Sequence, residues 1–412
     1  MIHTLSSPAI FSIELTAECN GRCHGCCNVF YHREQRPALP ANAWQAIFQA
    51  IAPHAHRVRL TGGEPTLHPQ FAEIIAQVAA FNFDFTVFTN ALWKDPDQVV
   101  RLLAKAPLCS GLLVSLHGAD AAAHEAFSGV PGSFETVKAN IARAAAAGLT
   151  VATSTVFTRY NCGQVKDIAA LSHRLGADHA VFSRYLGREL PSLEPGAQEL
   201  RQAVREVDLL QKQGQRAIKK WRVKFGDCIP QCFVRSSSTG CLAGVAYCTI
   251  DPWGHVRPCN HSDIDCGDLL QVPLAQAWNS PAMQQWRQMI PPACENSCAA
   301  FSQCHGGCRA TALARGLNQD PLMAMPLAAD ELPPPEQVEL YEGLRPLGHY
   351  EVREERFGYV LLGANLALAS HHAKPLLDMC DGETTLLEIE QLYGQEGLAL
   401  IADLHHKGLI EW

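Results

Sequence analysis

Three thiols, Cys19, Cys23 and Cys26, fall at Cys-x3-Cys-x2-Cys spacing in the stretch AECNGRCHGCC at 17–27. Thiolates are soft ligands that select zinc, copper(I) or iron–sulfur clusters. A tetrahedral zinc site needs four ligands, and a [4Fe–4S] cluster ordinarily takes four cysteines. Three thiolates on one loop therefore leave a position for a non-protein ligand, or for a fourth residue from elsewhere. Ten more of the seventeen cysteines lie between Cys228 and Cys308, Cys27 adjoins the triad, and only Cys109, Cys162 and Cys380 stand apart. In a reducing compartment such clustering reads as metal sites rather than disulfides.

The elements that must position these thiols follow from periodicity. From residue 10 to about 225, alternating apolar runs take turns with amphipathic stretches. Strands are predicted at Ile10–Leu15, Arg57–Leu60, Asp84–Phe88, Gly111–Leu116, Thr150–Phe157 and Ala180–Tyr185. Helices are predicted at Asn42–Ile51, Phe71–Ala80, Gln98–Lys105, Phe134–Ala147 and Val165–Leu175, with a long polar helix from Ala197 to Trp221. Strand–helix alternation argues for a parallel sheet covered by helices, with ligands at the C-terminal strand ends. The triad follows the first strand, and Thr61-Gly62-Gly63-Glu64-Pro65 follows the second. Paired glycines let a backbone approach closely; the plain alternative is a turn with a proline stop.

Composition sets outer bounds. Of 412 residues, 47% are hydrophobic and 18% charged, and the formal net charge is −8, which disfavours non-specific nucleic-acid binding. No apolar run is long enough to span a bilayer, and the first residues lack the regions of a signal peptide, so a cytoplasmic protein is expected.

The triad together with Gly62-Gly63-Glu64-Pro65 resembles the radical SAM enzymes. The resemblance implies α/β architecture with a partial (β/α)6 TIM-like barrel. It also implies that the open iron of a [4Fe–4S] cluster is chelated by S-adenosylmethionine (SAM), which an electron cleaves to a 5′-deoxyadenosyl radical. Gly62, Gly63, Glu64 and Pro65 would hold the SAM amino group, with Asn90 and Ser115 as further contacts from later strand ends. Relatives often carry an Arg where Ser128 precedes Gly129, and an aromatic residue beside adenine where Gly25 stands, so Phe30 or Tyr31 would have to cover the base. Cys27 and His117 are the candidate catalytic groups; their plain readings are a small buried thiol and a structural histidine.

The second cysteine field resembles the SPASM extension of peptide-modifying radical SAM enzymes. Cys241, Gly254 and Cys259 match its Cys-x9–15-Gly-x4-Cys part, and Cys294-x3-Cys298-x5-Cys304-x3-Cys308 its second part. The first pair there is spaced by three rather than two, and the final cysteine of the pattern is missing. Carried over, a first auxiliary cluster takes Cys228 or Cys232 with Cys241, Cys259 and Cys308. A second takes Cys294, Cys298 and Cys304, its fourth ligand being Cys248, Cys266, a carboxylate or none. Structural zinc ribbons are the alternative for four-thiolate sites.

Beyond a Pro-rich linker, the segment from Tyr350 carries two short strands, Glu351–Arg356 and Tyr359–Leu366, then helices at Lys374–Cys380, Thr385–Tyr393 and Ala399–Lys407. It resembles a PqqD-like domain, a small winged helix-turn-helix in which a leader peptide adds a strand to a sheet edge. Glu388, Glu390, Glu396 and Asp403 disfavour DNA as the alternative partner. The expected order is a radical SAM barrel at 1–226, a SPASM region at 227–320, a linker at 321–347 and a PqqD-like domain at 348–412. The resemblances imply an enzyme that modifies a ribosomally made precursor peptide, with flavodoxin or ferredoxin as electron donor. The alternatives are a radical SAM enzyme acting on a non-peptide cofactor precursor and a zinc-bound, non-catalytic peptide-binding scaffold.

Overall fold

The computed structural model describes residues 2–30, 36–187, 191–215, 222–226, 229–235, 240–332 and 341–412. The chain divides into two compact units, Met1–Leu332 and Pro333–Trp412.

The first unit begins as strands and helices in turn. They are β1 (Ile10–Glu14), α1 (Ala41–Ile51), β2 (Arg57–Thr61), α2 (Phe71–Ala80), β3 (Phe85–Thr89), α3 (Pro96–Lys105), β4 (Cys109–Ser115), α4 (Ala121–Ser128), α5 (Ser133–Ala146), β5 (Val151–Val156), α6 (Val165–Arg174) and β6 (His179–Ser183). β1 to β6 lie side by side, all parallel. Alternation decides which face is dry. Val58 and Leu60 of β2 and Phe85 and Val87 of β3 are buried in one cluster with Trp44 and Phe48 of α1 and Ile74 and Val78 of α2. Burying each such side chain contributes about 1.5–3 kcal/mol. The other faces of β2 and β3 are only partly buried and form the barrel interior.

The sheet has nine strands where the sequence predicts six. After α7 (Ala197–Gln215), β7 (Arg222–Phe225) joins β6 in parallel. At the other edge β8 (Tyr247–Ile250) pairs parallel to β1, and β9 (Val256–Arg257) closes an antiparallel hairpin with it. The order is β7-β6-β5-β4-β3-β2-β1-β8-β9. The hairpin comes from the cysteine-rich region and covers the edge β1 would otherwise expose. It makes β1 interior, and all five of its residues are buried. The sheet curls: Lys224 of β7 has its pKa lowered first by burial and then by Arg222, Arg57 and Arg59, the last two on β2. The long polar helix is shorter than expected, since α7 ends at Gln215 and 216–221 fall outside the described residues.

Five short helices follow: α8 (Leu274–Trp278), α9 (Pro281–Gln288), α10 (Pro292–Ser297), α11 (Phe301–Cys304) and α12 (Arg309–Ala314).

The second unit holds β10 (Leu347–Gly348), β11 (Tyr350–Glu355), β12 (Gly358–Gly363), β13 (Leu366–Ala369), α13 (Lys374–Asp378), α14 (Leu386–His406) and β14 (Ile410–Glu411). β11-β12-β13 form an antiparallel meander, and β10 pairs with β14. The two last helices expected from sequence are one segment broken at Gly394 (φ 60, ψ −156), opened by a capping box in which Thr385 and Glu388 bond each other's backbone. Leu361, Leu377, Ile389, Ile401 and Leu404 are among the residues of this unit's own core.

Candidate functional site

The loop after β1 carries the triad and is held from two sides. On one side its backbone docks on the C-terminal end of α4, where the last carbonyls have no helical partner. The Arg22 N–H donates to Ser128 O (3.1 Å) and the His24 N–H to Phe127 O (2.8 Å). Gly129, at φ +66, lets the chain turn there, and a Cβ on it would stand 2.4 Å from Arg22 O. On the other side the Gly63 N–H donates to Thr16 O and the Glu64 N–H to Glu18 O, both at 2.7 Å. Gly62 has φ +145, and a Cβ there would fall 2.4 Å from Thr16 O; one on Gly63 would fall 2.1 Å from Glu18 O. The glycine pair is required because the β2 end lies directly against the thiol loop.

Glu64 is fully buried and locks the ends of β2 and β3 together. Its Oε1 accepts from Thr66 Oγ1 (2.7 Å) and Thr89 Oγ1 (2.8 Å), and its Oε2 from the Asn90 N–H (2.8 Å). Burial raises its pKa, and these hydrogen bonds oppose the rise. Asn90 continues the chain of contacts, its Nδ2 donating to Asn20 Oδ1 (2.9 Å) and approaching Cys19 Sγ (3.6 Å). Pro65 opens a short 3-10 turn, and Ser115 ends β4 opposite Ser154 of β5. Gly62, Gly63, Glu64 and Asn90 thus gather at the triad; Ser115 is two strands further along the sheet.

The sulfurs of Cys19 and Cys23 lie 3.4 and 3.6 Å from the point a Gly21 Cβ would occupy. Burial is the main cause raising the thiol pKa of Cys19, Cys23 and Cys26. For Cys23 the charges of Cys26, Cys19 and Cys27 add to it. Three half-buried thiols that repel one another as thiolates need positive charge among them to ionise. This donor set fits an iron–sulfur cluster, whose irons would supply that charge to Cys19, Cys23 and Cys26.

Three neighbours escaped sequence reasoning. Gly25 is packed by Tyr185 and Phe127: a Cβ on it would meet Tyr185 Cε2 at 2.3 Å and Phe127 Cε2 at 2.9 Å. Tyr185, just past β6, is 1% exposed, so an aromatic ring does lie beside position 25, delivered from a distant strand. Phe30, expected to cover adenine, instead packs edge-on to Trp253 (centroids 4.8 Å) and beneath Arg257; Tyr31 lies outside the described residues. Glu14, the last residue of β1, pairs with Arg257 of β9, both in the interior, and accepts from half-buried Asn260 Nδ2 (2.8 Å). A carboxylate inside a strand that reads as apolar was the only available signal.

Of the catalytic candidates, Cys27 sits close enough to Cys26 and Cys23 to raise their pKa values. His117 is buried under Phe127 (centroids 4.2 Å); its N–H donates to His124 Nδ1 (3.1 Å), and its own Nδ1 accepts from the Val156 N–H (3.3 Å). Burial and then His124 lower its pKa, so it is held neutral.

The remaining thiols form separate groups. The charges of Cys241 and Cys308 act on Cys259, so these three lie together. Cys232, Cys294, Cys298 and Cys304 line one small cavity. Cys232 therefore stands with the second group rather than with Cys241, Cys259 and Cys308, and Cys228 lies outside the described residues. Cys248 and Cys266 are a buried pair that lines neither the cavity nor the triad. Among the described residues no three His, Cys, Asp or Glu gather round the position of a single metal ion.

Residues 13–171 match the radical SAM superfamily, and residues 241–308 match the iron–sulfur cluster-binding SPASM domain. The chain is 31% identical over 331 residues to mycofactocin maturase MftC of Mycobacterium ulcerans, covering 77% of this chain and 87% of the relative. It is 27% identical over 321 residues to an AdoMet-dependent heme synthase of Nitratidesulfovibrio vulgaris, covering 73% and 86%. The fold resembles that of Streptococcus suis SuiB, solved bound to precursor peptide SuiA, with a TM-score of 0.64, 19% identity and coverage of 77% of this chain and 76% of that one. The chain belongs to the radical SAM superfamily. It is an enzyme with SAM and iron–sulfur clusters as cofactors, and it carries a SPASM domain.

Proposed function

We propose that this enzyme modifies a ribosomally made precursor peptide. The observation that carries the reading is the 31% identity to a peptide maturase over most of both chains. When bound, a [4Fe–4S] cluster with SAM on its open iron supplies the 5′-deoxyadenosyl radical that takes a hydrogen atom from the substrate. In this reading Cys19, Cys23 and Cys26 hold that cluster. The backbone of Gly62 and Gly63 fixes the thiol loop. Glu64 orients Asn90 toward Cys19 and the SAM side of the site, with Pro65 and Ser115 on the same rim. Tyr185 and Phe127 keep water from the side where Gly25 leaves room; Cys27 is the group for proton transfer, while His117, buried and held neutral, supports the wall behind Phe127. The SPASM region at 227–320 would hold auxiliary clusters fed by flavodoxin or ferredoxin.

The second unit supports a role in substrate capture. Its meander has two outer strands, β11 and β13, and the edge of such a sheet is where a bound peptide adds a strand in β-augmentation. A PqqD-like domain at 348–412 would bind the leader there. The similarity to an AdoMet-dependent heme synthase keeps a second reading in view, a non-peptide cofactor precursor as substrate.

The test is anaerobic incubation of the reconstituted full chain with SAM, reductant and the leader-and-core peptide encoded beside its gene, read by mass spectrometry. A mass change in the core segment is expected. An unchanged peptide, with turnover of a haem precursor instead, contradicts the peptide reading. Among the described residues no helix is long and apolar enough to cross a membrane.

A further inference from the structure

We propose that Cys232 is the fourth thiolate of the second auxiliary cluster and closes it, with Cys294, Cys298 and Cys304, so that no iron of that cluster is open to substrate. The proposal rests on the reading that the region binds iron–sulfur clusters. The SPASM pattern takes this ligand from a cysteine downstream of Cys308, and the chain has none until Cys380. The structure supplies one from upstream instead.

Four observations converge. All four thiols line the same cavity, whose other walls are mostly apolar, among them Ala300, Phe301, Met323 and Pro326. The loop bearing Cys232 is tied to the helix bearing Cys304, since Gln231 Nε2 donates to Gln303 Oε1 at 3.1 Å and Gln231 is 4% exposed. The segment downstream of Cys308, which has no thiol to give, contributes backbone donors: the Ala324 N–H to Cys232 Sγ (3.2 Å) and the Leu327 N–H to Cys298 Sγ (3.4 Å). N–H groups aimed at sulfur stabilise thiolates and are among the means by which proteins tune cluster potentials. That same segment is fixed in place, because the Ala299 N–H donates to Leu327 O (2.8 Å) beside Cys298. One upstream cysteine and two downstream amides thus do what a downstream cysteine does in the family pattern. Four cysteine ligands complete a [4Fe–4S] cluster, which suits this cluster to passing electrons rather than to holding substrate.

The experiment compares full-length wild type with Cys232→Ala, Cys298→Ala and Cys241→Ala, all reconstituted anaerobically, by iron and sulfide content and by EPR of the reduced proteins. Cys232→Ala is expected to lack the same signal as Cys298→Ala, to keep the one lost in Cys241→Ala, and to hold about four fewer irons than wild type. Loss of the Cys241→Ala signal instead, or iron content equal to wild type, overturns the proposal. Wild type that carries zinc in place of the auxiliary iron overturns the underlying iron–sulfur reading, a separate and recognisable failure. Should Cys232→Ala not fold, Cys232→Ser keeps the side chain's size. An oxygen ligand is expected to shift that cluster's EPR signal, and a spectrum identical to wild type contradicts ligation.

Discussion

At the scale of single residues, the thiol loop depends on groups that are not themselves ligands. Gly62 combines a backbone angle that side chains rarely adopt with a 2.4 Å approach to Thr16 O. Gly62→Ala is expected to cost about 1–3 kcal/mol through that strain and to lower iron retention at the triad, measured by thermal melting and iron analysis. Gly25 faces Tyr185 and Phe127 at distances no Cβ tolerates. Restoring the family's aromatic residue with Gly25→Tyr should therefore impair cluster assembly, and pairing it with Tyr185→Gly should recover it; equal impairment of both variants would show that the two sites do not exchange a ring. His124 is 1% exposed, and burial lowers its pKa from 6.5 to about 4. A depressed histidine favours the neutral fold: its contribution is present above pH 6.5 and is lost as pH falls toward 4, in total about 3 kcal/mol. Melting temperature should fall over that window, and His124→Asn, which keeps an acceptor for the His117 N–H, should flatten the fall.

At the scale of elements, two buried ion pairs join the cysteine-rich region to the barrel. Glu14 and Arg257 link β1 to β9 directly before the triad loop. Arg184, beyond β6, meets Asp320 with two hydrogen bonds of 2.5 and 3.0 Å, and Asp320 Oδ2 also accepts from the Cys308 N–H (2.8 Å). Removing one partner of such a pair leaves a buried charge alone, which typically costs about 3–5 kcal/mol. Arg184→Met should destabilise the fold by that order and disturb the Cys308 cluster signal while leaving the triad's signal in place. Sequence periodicity located β1 to β6 because each alternates or is wholly apolar. It missed β7, four residues with Arg222 and Lys224 on one face, and it missed α4, a run rich in alanine. The place of the β8–β9 hairpin beside β1 involves Glu14 and Arg257, 243 residues apart, which no local pattern carries. Cys232 illustrates the same limit, since spacing alone does not say which group of thiols a cysteine joins.

At the scale of the whole molecule, one compact unit carries the triad and two further groups of thiols, and the second unit carries a small three-stranded antiparallel sheet. The triad, the glycine motif and the later cysteines were legible because metal ligands are few in kind and their spacing is constrained by loop geometry. The packing that makes the triad usable was not, because it comes from Phe127 and Tyr185, residues ordinary in type and remote in sequence. In the function proposed, Cys19, Cys23 and Cys26 hold the cluster at which SAM is cleaved. The most direct measurement is 5′-deoxyadenosine release by the anaerobically reconstituted full chain with SAM and dithionite. The wild type, and Cys298→Ala if it keeps the triad's EPR signal, should form it, and Cys19→Ala, Cys23→Ala and Cys26→Ala should form none. Equal release by the triad variants, or none from wild type with full iron content, would contradict the account.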